Sequence, residues 1–502
     1  MESLNIAGRF LDRSDGRRTA LITREGRVDY AELRSLANRT GNALRDLGVR
    51  RGDRVLIAAD DSVEFVAAWY GAQKIGAVTA EVYTFLRPED YRYFAGYARP
   101  RVVVAGPATL DALRAADVGG LLVTGVPRHR LRPGERHFDT VVAAQEDRLD
   151  PVPVAPGDVA IWKFTTGSTG APRACVLPAR SPHLSFESYA RGVLDLRADD
   201  VVLPVPKLSF GYARDLTALF PFGAGAAGVV FPERSRVETI FELIAEHRPT
   251  ILVNVPTMMS AMLAHPDAAR QDLSCLRLCT SAGEALPPEL HRRWTDAFGV
   301  EVVDGLGSSE AYHIYLSNRP GRVRPGTLGQ EVPGYRARVV DDDGRTVPDG
   351  EVGRLEITGA AVALEYWQQP AKSAETFVAE HTVRSGDLVT RDAEGFFRYR
   401  GRADDLLKVG GSWVAPAEIE NCLLEHPAVR ACVVVGEDLR GLTRPHAYVV
   451  ACATVEAAEL KDFVRARLVA QRAPRKITFV DALPQTASGK VDRQALKEGV
   501  LA

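Results

Sequence analysis

Residues 164–176 read FTTGSTGAPRACV, and this segment carries the strongest chemical signal in the chain. Hydroxyl and main-chain N–H donors crowd it, at Thr165, Thr166, Gly167, Ser168, Thr169 and Gly170. Glycine lets the backbone approach an anion closely and hydroxyls add donors, so the segment is suited to bind phosphate. It is not a Walker loop, because the G-x-x-x-x-G-K-[ST] spacing is absent. A surface linker rich in Ser, Thr and Gly is the alternative interpretation.

Strand-like apolar runs alternate with helical stretches on both sides of this segment. The helical spacing is clearest in EFVAAWYGAQKIGA (64–77) and VETIFELIAEH (237–247). The apolar runs end at Pro, Gly or a polar turn, and include VLIAADDS (55–62), RVVVAG (101–106), GLLVTG (120–125), VVLPVP (201–206), TILVNVP (250–256) and LRLCTSAGE (276–284). This alternation predicts an α/β fold with stacked, largely parallel sheets.

The pattern of predicted secondary structure changes at two further points in the sequence. From about residue 325, hairpin-like segments such as GEVGRLEITG (350–359) and GFFRYRGR (395–402) predict a β-rich subdomain. After Arg402, helix and strand patterns alternate over a short stretch, which is typical of a small α+β domain. We therefore predict an N-terminal domain over residues 1–402 and a C-terminal domain over residues 403–502, with the boundary in GRADD (401–405).

Composition excludes several functional classes. The 502 residues contain 63 Lys and Arg against 65 Asp and Glu, a net charge of -2, which argues against a nucleic-acid partner. We find no secretory signal pattern and no apolar run long enough to cross a membrane, so we expect no membrane association. The six cysteines are scattered, which fits buried thiols in the cytoplasm. Only nine of the basic residues are lysines.

One glycine motif does not predict a dinucleotide site. GAGAAG (223–228) satisfies G-x-G-x-x-G, a pattern that requires a strand before it and a helix after it. The strand-like run VVFPE (229–233) follows instead. We therefore assign no cofactor to this motif.

Further motifs follow the 164–176 segment in a fixed order. They are TSAGEALP (280–287), DGLGSSEAYHIYLSNRPG (304–321), VRSGDL (383–388), GRADDLLKVGGSWVAPAEIE (401–420) and LPQTASGKVDR (483–493). The set resembles the adenylate-forming superfamily of acyl-CoA synthetases, carrier-protein adenylation domains and luciferases, over nearly the whole chain. Within it, the chain looks most like the benzoate-type aryl-CoA ligases. The resemblance implies that a carboxylate attacks the α-phosphate of ATP, and that a thiol then attacks the acyl-AMP.

The resemblance also implies a role for each motif residue. Thr165–Gly170 would hold the β- and γ-phosphates, with Thr169 on a phosphate oxygen. Glu310, which follows Ser309 in the nucleotide-binding motif, would hold Mg²⁺. The adenine would lie against Gly283 and Glu284, the ribose hydroxyls would meet Asp387, and Arg402 would bind the ribose or a phosphate. Lys490 would stabilise the charge at the α-phosphate, as a compact ammonium can. Asp404 matches the hinge about which a mobile C-terminal domain turns, and Gly410 and Gly411 would line the thiol tunnel.

The aryl pocket is predicted around KLSFGYARDLTALF (207–220). By the same resemblance, its lining comprises Phe210, Gly211, Tyr212, Ala213, Asp215, Ala282, Gly307 and His313. Arg214 and Asp215 depart from the small or apolar residues expected there. If they reach the pocket, the acid carries an amino or hydroxyl group; otherwise they pair with each other at the start of a helix. We expect His183 to pack rather than to react, and His313 either to meet the carboxylate or to be a structural histidine.

The acceptor stays open at this point. CoA is the leading expectation, with ATP and Mg²⁺ as the other cofactors and a small aromatic acid as substrate. A carrier-protein phosphopantetheine in a natural-product pathway is the second, and diazotisation of an amino-aryl acid with nitrite is the third. A homodimer is compatible with the sequence. The phosphate loop departs from the family pattern at Arg173 and Ala174, where Lys and Gly are usual.

Overall fold

The computed structural model describes residues 3–165, 172–409, 412–439, 442–468, 473–484 and 491–499. Two open α/β sheets and an antiparallel sheet form a large N-terminal domain, and a smaller α+β domain follows. This confirms the predicted fold class. The exact boundary at residues 402/403 stays a prediction; a strand ends there and a single 3-10 turn, Ala403–Asp405, follows.

Helices occur along the whole described chain. Where the ends are capped, the local sequence explains them; Asp29 and Glu32, for example, form a reciprocal capping box at the start of the second helix. The helices are α1 (Ile6–Phe10), α2 (Tyr30–Asp46), α3 (Val63–Lys74), α4 (Pro88–Ala98), α5 (Leu110–Ala115), α6 (Phe138–Ala143), α7 (Arg180–Ser185), α8 (Gly211–Ala218), α9 (Phe220–Ala224), α10 (Val237–His247), α11 (Pro256–Ala264), α12 (Pro288–Phe298), α13 (Pro370–Thr376), α14 (Pro416–Leu424), α15 (Ala457–Arg465) and α16 (Arg493–Lys497).

The strands are short and mostly apolar, as expected for strands covered on both faces. They are β1 (Thr19–Ile22), β2 (Arg27–Asp29), β3 (Arg54–Ala58), β4 (Val78–Glu81), β5 (Val102–Ala105), β6 (Leu121–Val123), β7 (Arg136–His137), β8 (Val159–Thr165), β9 (Arg173–Pro178), β10 (Val201–Pro204), β11 (Ala227–Val229), β12 (Ile251–Asn254), β13 (Leu278–Ser281), β14 (Val302–Gly307), β15 (Ile314–Ser317), β16 (Gln330–Glu331), β17 (Tyr335–Val340), β18 (Gly353–Gly359), β19 (Glu365–Tyr366), β20 (Phe377–Ala379), β21 (Thr382–Arg391), β22 (Phe397–Arg402), β23 (Leu407–Val409), β24 (Ser412–Val414), β25 (Val429–Leu439), β26 (Leu442–Ala451) and β27 (Lys476–Phe479).

Two large sheets carry most of the core. The first has the strand order β16-β15-β14-β13-β12-β10-β11-β1-β2, and its strands run parallel from β14 through β1. The second has the order β19-β9-β8-β4-β3-β5-β6-β7, and it is parallel from β8 through β7. The largely parallel arrangement confirms the expectation from the apolar runs. Helices α2 and α3 pack against each other with buried faces that belong to the largest apolar cluster.

The remaining strands form the predicted β-rich part. Strands β17, β18, β21 and β20 are antiparallel neighbours, and β22 pairs with β21. In the C-terminal domain, β23 pairs with β24, and β25, β26 and β27 form a second small sheet against α14 and α15. These pairings agree with the hairpin-like and helix–strand patterns of the sequence.

Two sequence patterns can be compared with the described part of the chain. GAGAAG spans the end of α9 and the start of β11, so a strand follows the glycines where a dinucleotide site needs a helix. Among the helices whose residues are described, none is long and apolar enough to cross a bilayer.

Candidate active site

Several predicted motifs meet at one edge of the first sheet. Strands β10, β12, β13 and β14 are parallel neighbours, so their carboxyl ends lie at the same edge. The segments 205–213 and 282–284 directly follow β10 and β13, and the segment 307–313 begins at the last residue of β14. Ligands of open α/β sheets bind in the crevice outside the carboxyl ends of the strands. Residues about 100 positions apart in sequence are thereby brought to one crevice.

The turn after β13 is fixed by two local features. Gly283 has φ +86, a left-handed conformation that suits glycine, and a Cβ there would lie 3.6 Å from Cζ of Phe210. Glu284 Oε2 accepts hydrogen bonds from the main-chain N–H of Thr257, at 3.0 Å, and from its hydroxyl, at 2.7 Å. The Glu284 carboxylate therefore ties this turn to the start of α11, beside the ring of Phe210.

An aromatic group, formed by the side chains of Phe210, Tyr212 and His313, lies beside the same turn. The ring of Tyr212 lies 6.1 Å from that of Phe210 and 5.7 Å from that of His313, and its hydroxyl is 2.6 Å from Thr280 Oγ1. A Cβ at Gly307 would lie 2.6 Å from the main-chain oxygen of His313, so the backbone needs glycine there. The other predicted lining residues are Gly211, which is half-buried, and three buried ones, Ala213, Asp215 and Ala282.

His313 is buried within an aromatic cage. Its ring packs 5.3 Å from Tyr189 and 5.0 Å from Phe220, in addition to Tyr212. Burial lowers the pKa of His313 to about 3, and the nearby Asp215 carboxylate opposes this only in part. Neither ring nitrogen has a hydrogen-bond partner within the described residues. Desolvation inside this cage therefore keeps His313 neutral at physiological pH.

His183 packs, as its sequence context predicts. Its Nε2 donates to the main-chain oxygen of Leu4 at 3.1 Å, and its ring lies 5.2 Å from that of Phe10. Burial lowers the pKa of His183 to about 4, so it is neutral at physiological pH.

The predicted ribose-binding pair is adjacent through strand register. Asp387 on β21 is the Cα neighbour of Arg402 on β22, and Arg402 Nη1 lies 3.4 Å from Asp387 Oδ1. The hydroxyl of Ser385 donates to the other Asp387 oxygen at 3.1 Å. Burial alone would lower the pKa of Arg402, but Asp387, Tyr399, Asp404 and Asp405 together outweigh it and the pKa is raised. Asp404, the predicted hinge residue, is exposed on the turn that follows, with an oxygen 4.0 Å from Arg402 Nη2.

Glu310 is held in place by a tyrosine from the second sheet. Tyr366 on β19 donates its hydroxyl to Glu310 Oε1 at 2.7 Å, and the main-chain oxygen of Glu310 accepts from Ala363 N at 2.8 Å. The guanidinium of Arg173 lies 5.5 Å from the centre of the Tyr366 ring. The arginine that replaces the usual lysine thus packs against the tyrosine that orients Glu310. Ser309, beside Glu310, is half-buried.

Part of the predicted site lies outside the described residues. Thr165 closes β8 and is the Cα neighbour of Arg173 on β9. The phosphate-loop residues that follow it, the tunnel glycines and the lysine of the C-terminal motif are beyond the described ranges; these are Thr166, Gly167, Ser168, Thr169, Gly170, Gly410, Gly411 and Lys490. Their roles stay predictions.

A buried network of charged side chains lies under this crevice. Asp215 Oδ1 accepts from Arg214 Nε and Nη2, at 3.0 and 2.6 Å, and its Oδ2 accepts from Lys163 Nζ at 2.7 Å. Arg214 Nη1 reaches Glu81 Oε1 at 2.7 Å. Burial would raise the pKa of Asp215, but the two cations outweigh it and hold the pKa at about 2. Of the two sequence alternatives for Arg214 and Asp215, the pairing at the start of α8 is the one observed.

Sequence reasoning missed Lys163 and Glu81. Each stands in an apolar strand, Lys163 in VAIWKFT and Glu81 at the end of VTAE, and each is buried. A charged residue inside an apolar strand usually signals a buried partner, because an unpaired buried charge is costly. That signal was present, but the partner of each residue could not be read from it.

The crevice, the aromatic group and the Asp387–Arg402 pair are built from the motifs by which the sequence resembles the adenylate-forming superfamily. The family model described as AMP-binding enzyme matches residues 11–367, and the AMP-binding enzyme C-terminal domain matches residues 418–490. The chain therefore belongs to the AMP-binding enzyme family, as the ordered motifs predict.

The individual relatives act on aromatic acids. The chain is 39% identical to a benzoate–CoA ligase of Thauera aromatica, over 98% of this chain and 95% of the relative. It is similar to the structure of the anthranilate CoA ligase AuaEII in complex with anthranoyl-AMP, with a TM-score of 0.94 and 34% identity, covering 100% of this chain and 97% of the other. It is also similar to a benzoate CoA ligase from Burkholderia xenovorans LB400, with a TM-score of 0.91, 36% identity and coverage of 99% and 100%. These comparisons confirm the resemblance to benzoate-type aryl-CoA ligases.

Proposed function

We propose that this chain is an acid–thiol ligase that activates a benzoate-type aromatic acid with ATP and transfers the acyl group to CoA. The observation that carries the proposal is the aromatic group of Phe210, Tyr212 and His313 beside the Gly283 turn, in a chain that aligns over 98% of its length with a benzoate–CoA ligase. Flat aromatic and small side chains form a slot that suits an aromatic ring.

The reaction has two steps. In the first, a carboxylate oxygen of the acid attacks the α-phosphorus of ATP, and the bond to pyrophosphate breaks. In the second, the thiolate sulfur of CoA attacks the carbonyl carbon of the acyl-AMP, and AMP leaves. Both steps depend on positioning and on neutralising developing charge rather than on a protein nucleophile.

Glu310 is the residue we assign to Mg²⁺. A carboxylate is the ligand type that Mg²⁺ prefers, and this one is fixed by Tyr366. The described residues contain no cluster of three or more His, Cys, Asp or Glu side chains that could hold a metal. This fits an ion that keeps few protein ligands and binds phosphate oxygens. When bound, it would neutralise phosphate charge during the first step.

We assign the ribose hydroxyls to Asp387, whose carboxylate can accept two hydrogen bonds, with Arg402 beside it. The assignments of the phosphates to Thr165–Gly170, of the α-phosphate to Lys490, of the thiol tunnel to Gly410 and Gly411, and of the hinge to Asp404 rest on sequence resemblance.

The other acceptors are not favoured. The relatives named above are CoA ligases, which supports CoA rather than a carrier protein. Diazotisation took its motive from Arg214 and Asp215, and these side chains bond to each other instead. The same pairing means that Arg214 and Asp215 no longer argue for an amino or hydroxyl group on the ring, whereas the anthranilate CoA ligase named above supports an amino-substituted acid. We keep a cytoplasmic location as part of the proposal, supported by six free cysteines, and a homodimer as a prediction for sedimentation to check.

The test is pyrophosphate release from ATP across benzoate, hydroxybenzoates, aminobenzoates and cinnamates, each with and without CoA. Products are identified by mass. We expect benzoate to be used and an aryl-CoA thioester to form only when CoA is present. If acyl-AMP accumulates equally with and without CoA, the proposed acceptor is contradicted. If no benzoate supports pyrophosphate release, the proposed acid is contradicted.

A further inference from the structure

We propose that Lys163 is a positioning residue that holds the segment 309–313, and that the buried acid Asp215 anchors it there. The segment contains Glu310 and His313, which the proposed function assigns to Mg²⁺ and to the acid, so the inference rests on that function. Lys163 itself would touch neither substrate. Its role would be to fix the backbone from which the two side chains project.

The first support is the contact between Lys163 and the segment. Lys163 Nζ donates to the main-chain oxygen of Tyr312 at 2.7 Å and to Asp215 Oδ2 at 2.7 Å. The same ammonium lies 3.8 Å from the centre of the Tyr312 ring. All three residues are buried. One cation thus holds both the backbone and the side chain of Tyr312.

The second support is the conformation of Tyr312. It has φ +73, in the left-handed region that non-glycine residues rarely adopt. Such a backbone persists only when surrounding contacts hold it, and it often occurs at functional sites. Tyr312 stands immediately before His313 and two residues after Glu310. Its main-chain conformation therefore sets how the chain at His313 is oriented relative to the chain at Glu310.

The third support is that the anchor is more elaborate than stability requires. Asp215 is bonded to Lys163 and Arg214, Arg214 to Glu81, and Glu81 Oε1 to Trp69 Nε1 at 2.6 Å. The Arg214 guanidinium lies 4.9 Å from the Trp69 ring centre. The two cations balance the two acids. Well-packed apolar residues often stabilise a fold at least as much as a buried ion network does. A role in orienting the bound groups therefore explains this network better than a role in stability.

The fourth support is the packing of the lysine stem. A Cβ at Gly211 would lie 2.7 Å from Lys163 Cε, so the stem occupies the space beside the first residue of α8. Lys163 also stands two residues before Thr165, where β8 leads into the phosphate loop. The lysine therefore touches the start of α8 and segment 309–313 from the strand that carries the phosphate loop.

The test removes one charge of each sign, so that no unpaired buried charge remains. The variant is Lys163→Met with Asp215→Asn. The matched control is Lys74→Met with Asp12→Asn, a second buried lysine whose Nζ lies 2.8 Å from an Asp oxygen. We expect the Lys163 variant to fold, and its kcat/KM for pyrophosphate release to fall at least about tenfold, with a higher KM for the acid. The control keeps both values within about twofold.

A second readout does not depend on the substrate. Crystal structures of the wild type and the Lys163 variant give φ of Tyr312 directly. We expect the left-handed conformation to be lost in the variant and kept in the control. The inference is overturned if the variant keeps the left-handed φ of Tyr312, or if it keeps the wild-type kcat and the wild-type KM for the acid. If the wild-type protein does not use benzoates, only the proposed function is overturned. The φ of Tyr312 still reports whether Lys163 holds the segment 309–313.

If the Met/Asn variant does not fold, Lys163→Gln with Asp215→Asn takes its place. Its two amides can hydrogen-bond each other, so that each introduced side chain keeps a polar partner. The glutamine side chain is shorter than lysine and does not reach both the side chain at position 215 and the Tyr312 oxygen. The same loss of kcat/KM and of the left-handed conformation is expected, and unchanged values overturn the inference.

Discussion

Burial controls the charge of individual histidines in this molecule. His183 and His313 are both desolvated, and burial lowers their pKa values to about 4 and about 3. A histidine that is neutral in the fold binds its proton more readily in the unfolded chain. Its contribution to stability is therefore complete above the ordinary pKa of about 6.5 and is lost as the pH falls toward the folded-state value.

The first prediction concerns this pH dependence. His183→Gln keeps a donor for the Leu4 oxygen but cannot titrate. For the wild type, we expect the His183 contribution to the free energy of unfolding to fall by about 2 kcal/mol between pH 7 and pH 5. The variant should show a correspondingly shallower loss in urea titrations. His129→Gln, at an exposed histidine, is the control. Equal pH slopes for wild type and His183→Gln would contradict the prediction.

The second prediction concerns the hydroxyl that orients Glu310. Tyr366→Phe removes one hydrogen bond to the carboxylate and changes little else. Because a hydrogen bond to a charged group contributes about 1.5–3 kcal/mol, we expect the Mg²⁺ concentration for half-maximal rate to rise about tenfold. Tyr30→Phe removes a buried phenol bond to the Ala226 oxygen and serves as control. A lower rate with unchanged Mg²⁺ dependence would place the role of Tyr366 elsewhere.

At the level of elements, helix α8 packs unusually close to strand β11. A Cβ at Gly228 would lie 2.0 Å from the main-chain oxygen of Thr217 on α8. Gly228, the last glycine of GAGAAG, therefore serves helix–strand packing. Because α8 also carries Tyr212, Arg214 and Asp215, this contact helps set the depth at which the crevice residues lie.

The third prediction follows from that contact. Gly228→Ala forces a methyl group against a backbone oxygen that cannot move without shifting α8. We expect a loss of about 3 kcal/mol in the free energy of unfolding, at the upper end of overpacking effects. Gly119→Ala has open space around it and should change stability by less than about 0.5 kcal/mol. Thermal unfolding of the two variants side by side makes the comparison, and equal midpoints would contradict the prediction.

For the whole molecule, the proposed chemistry divides between two domains. The crevice, the Asp387–Arg402 pair and Glu310 belong to the N-terminal domain. The lysine assigned to the α-phosphate is in the C-terminal sequence, so the two half-reactions should be separable by one substitution.

The fourth prediction uses that separation. Lys490→Ala should lower pyrophosphate release by about a hundredfold or more, because a charge at the transition state is lost. Thioester formation from supplied acyl-AMP and CoA should change only a few-fold. Lys497→Ala, at an exposed lysine in the same domain, is the control. Acyl-AMP formation at the normal rate, trapped with hydroxylamine, would contradict the role of Lys490.

The elements were predictable from local sequence, and the site was predictable in part. Apolar runs such as 250–256 became buried parallel strands, and the glycine turn at Gly283 appeared where its motif indicates. The neighbouring positions of Asp387 and Arg402 follow from the pairing of β21 with β22. Each of these depends on periodicity, turn chemistry or a short hairpin, which a linear sequence displays.

By itself, then, the sequence determined the fold class and the family, and it predicted site residues of which the structure brings Phe210, Tyr212, Gly283 and His313 close together. Only the tertiary structure decided that Arg214 and Asp215 pair with each other. Only the tertiary structure showed that Lys163 binds the main-chain oxygen of Tyr312. Lys163 is 52 residues from Asp215 and 149 residues from Tyr312 along the chain. Strand, helix and loop must first pack before these groups are desolvated together. Once these charged side chains are buried, each needs a partner, because an unpaired buried charge is costly. Which partner each one has depends on the packing of distant elements, and sequence spacing does not show that packing.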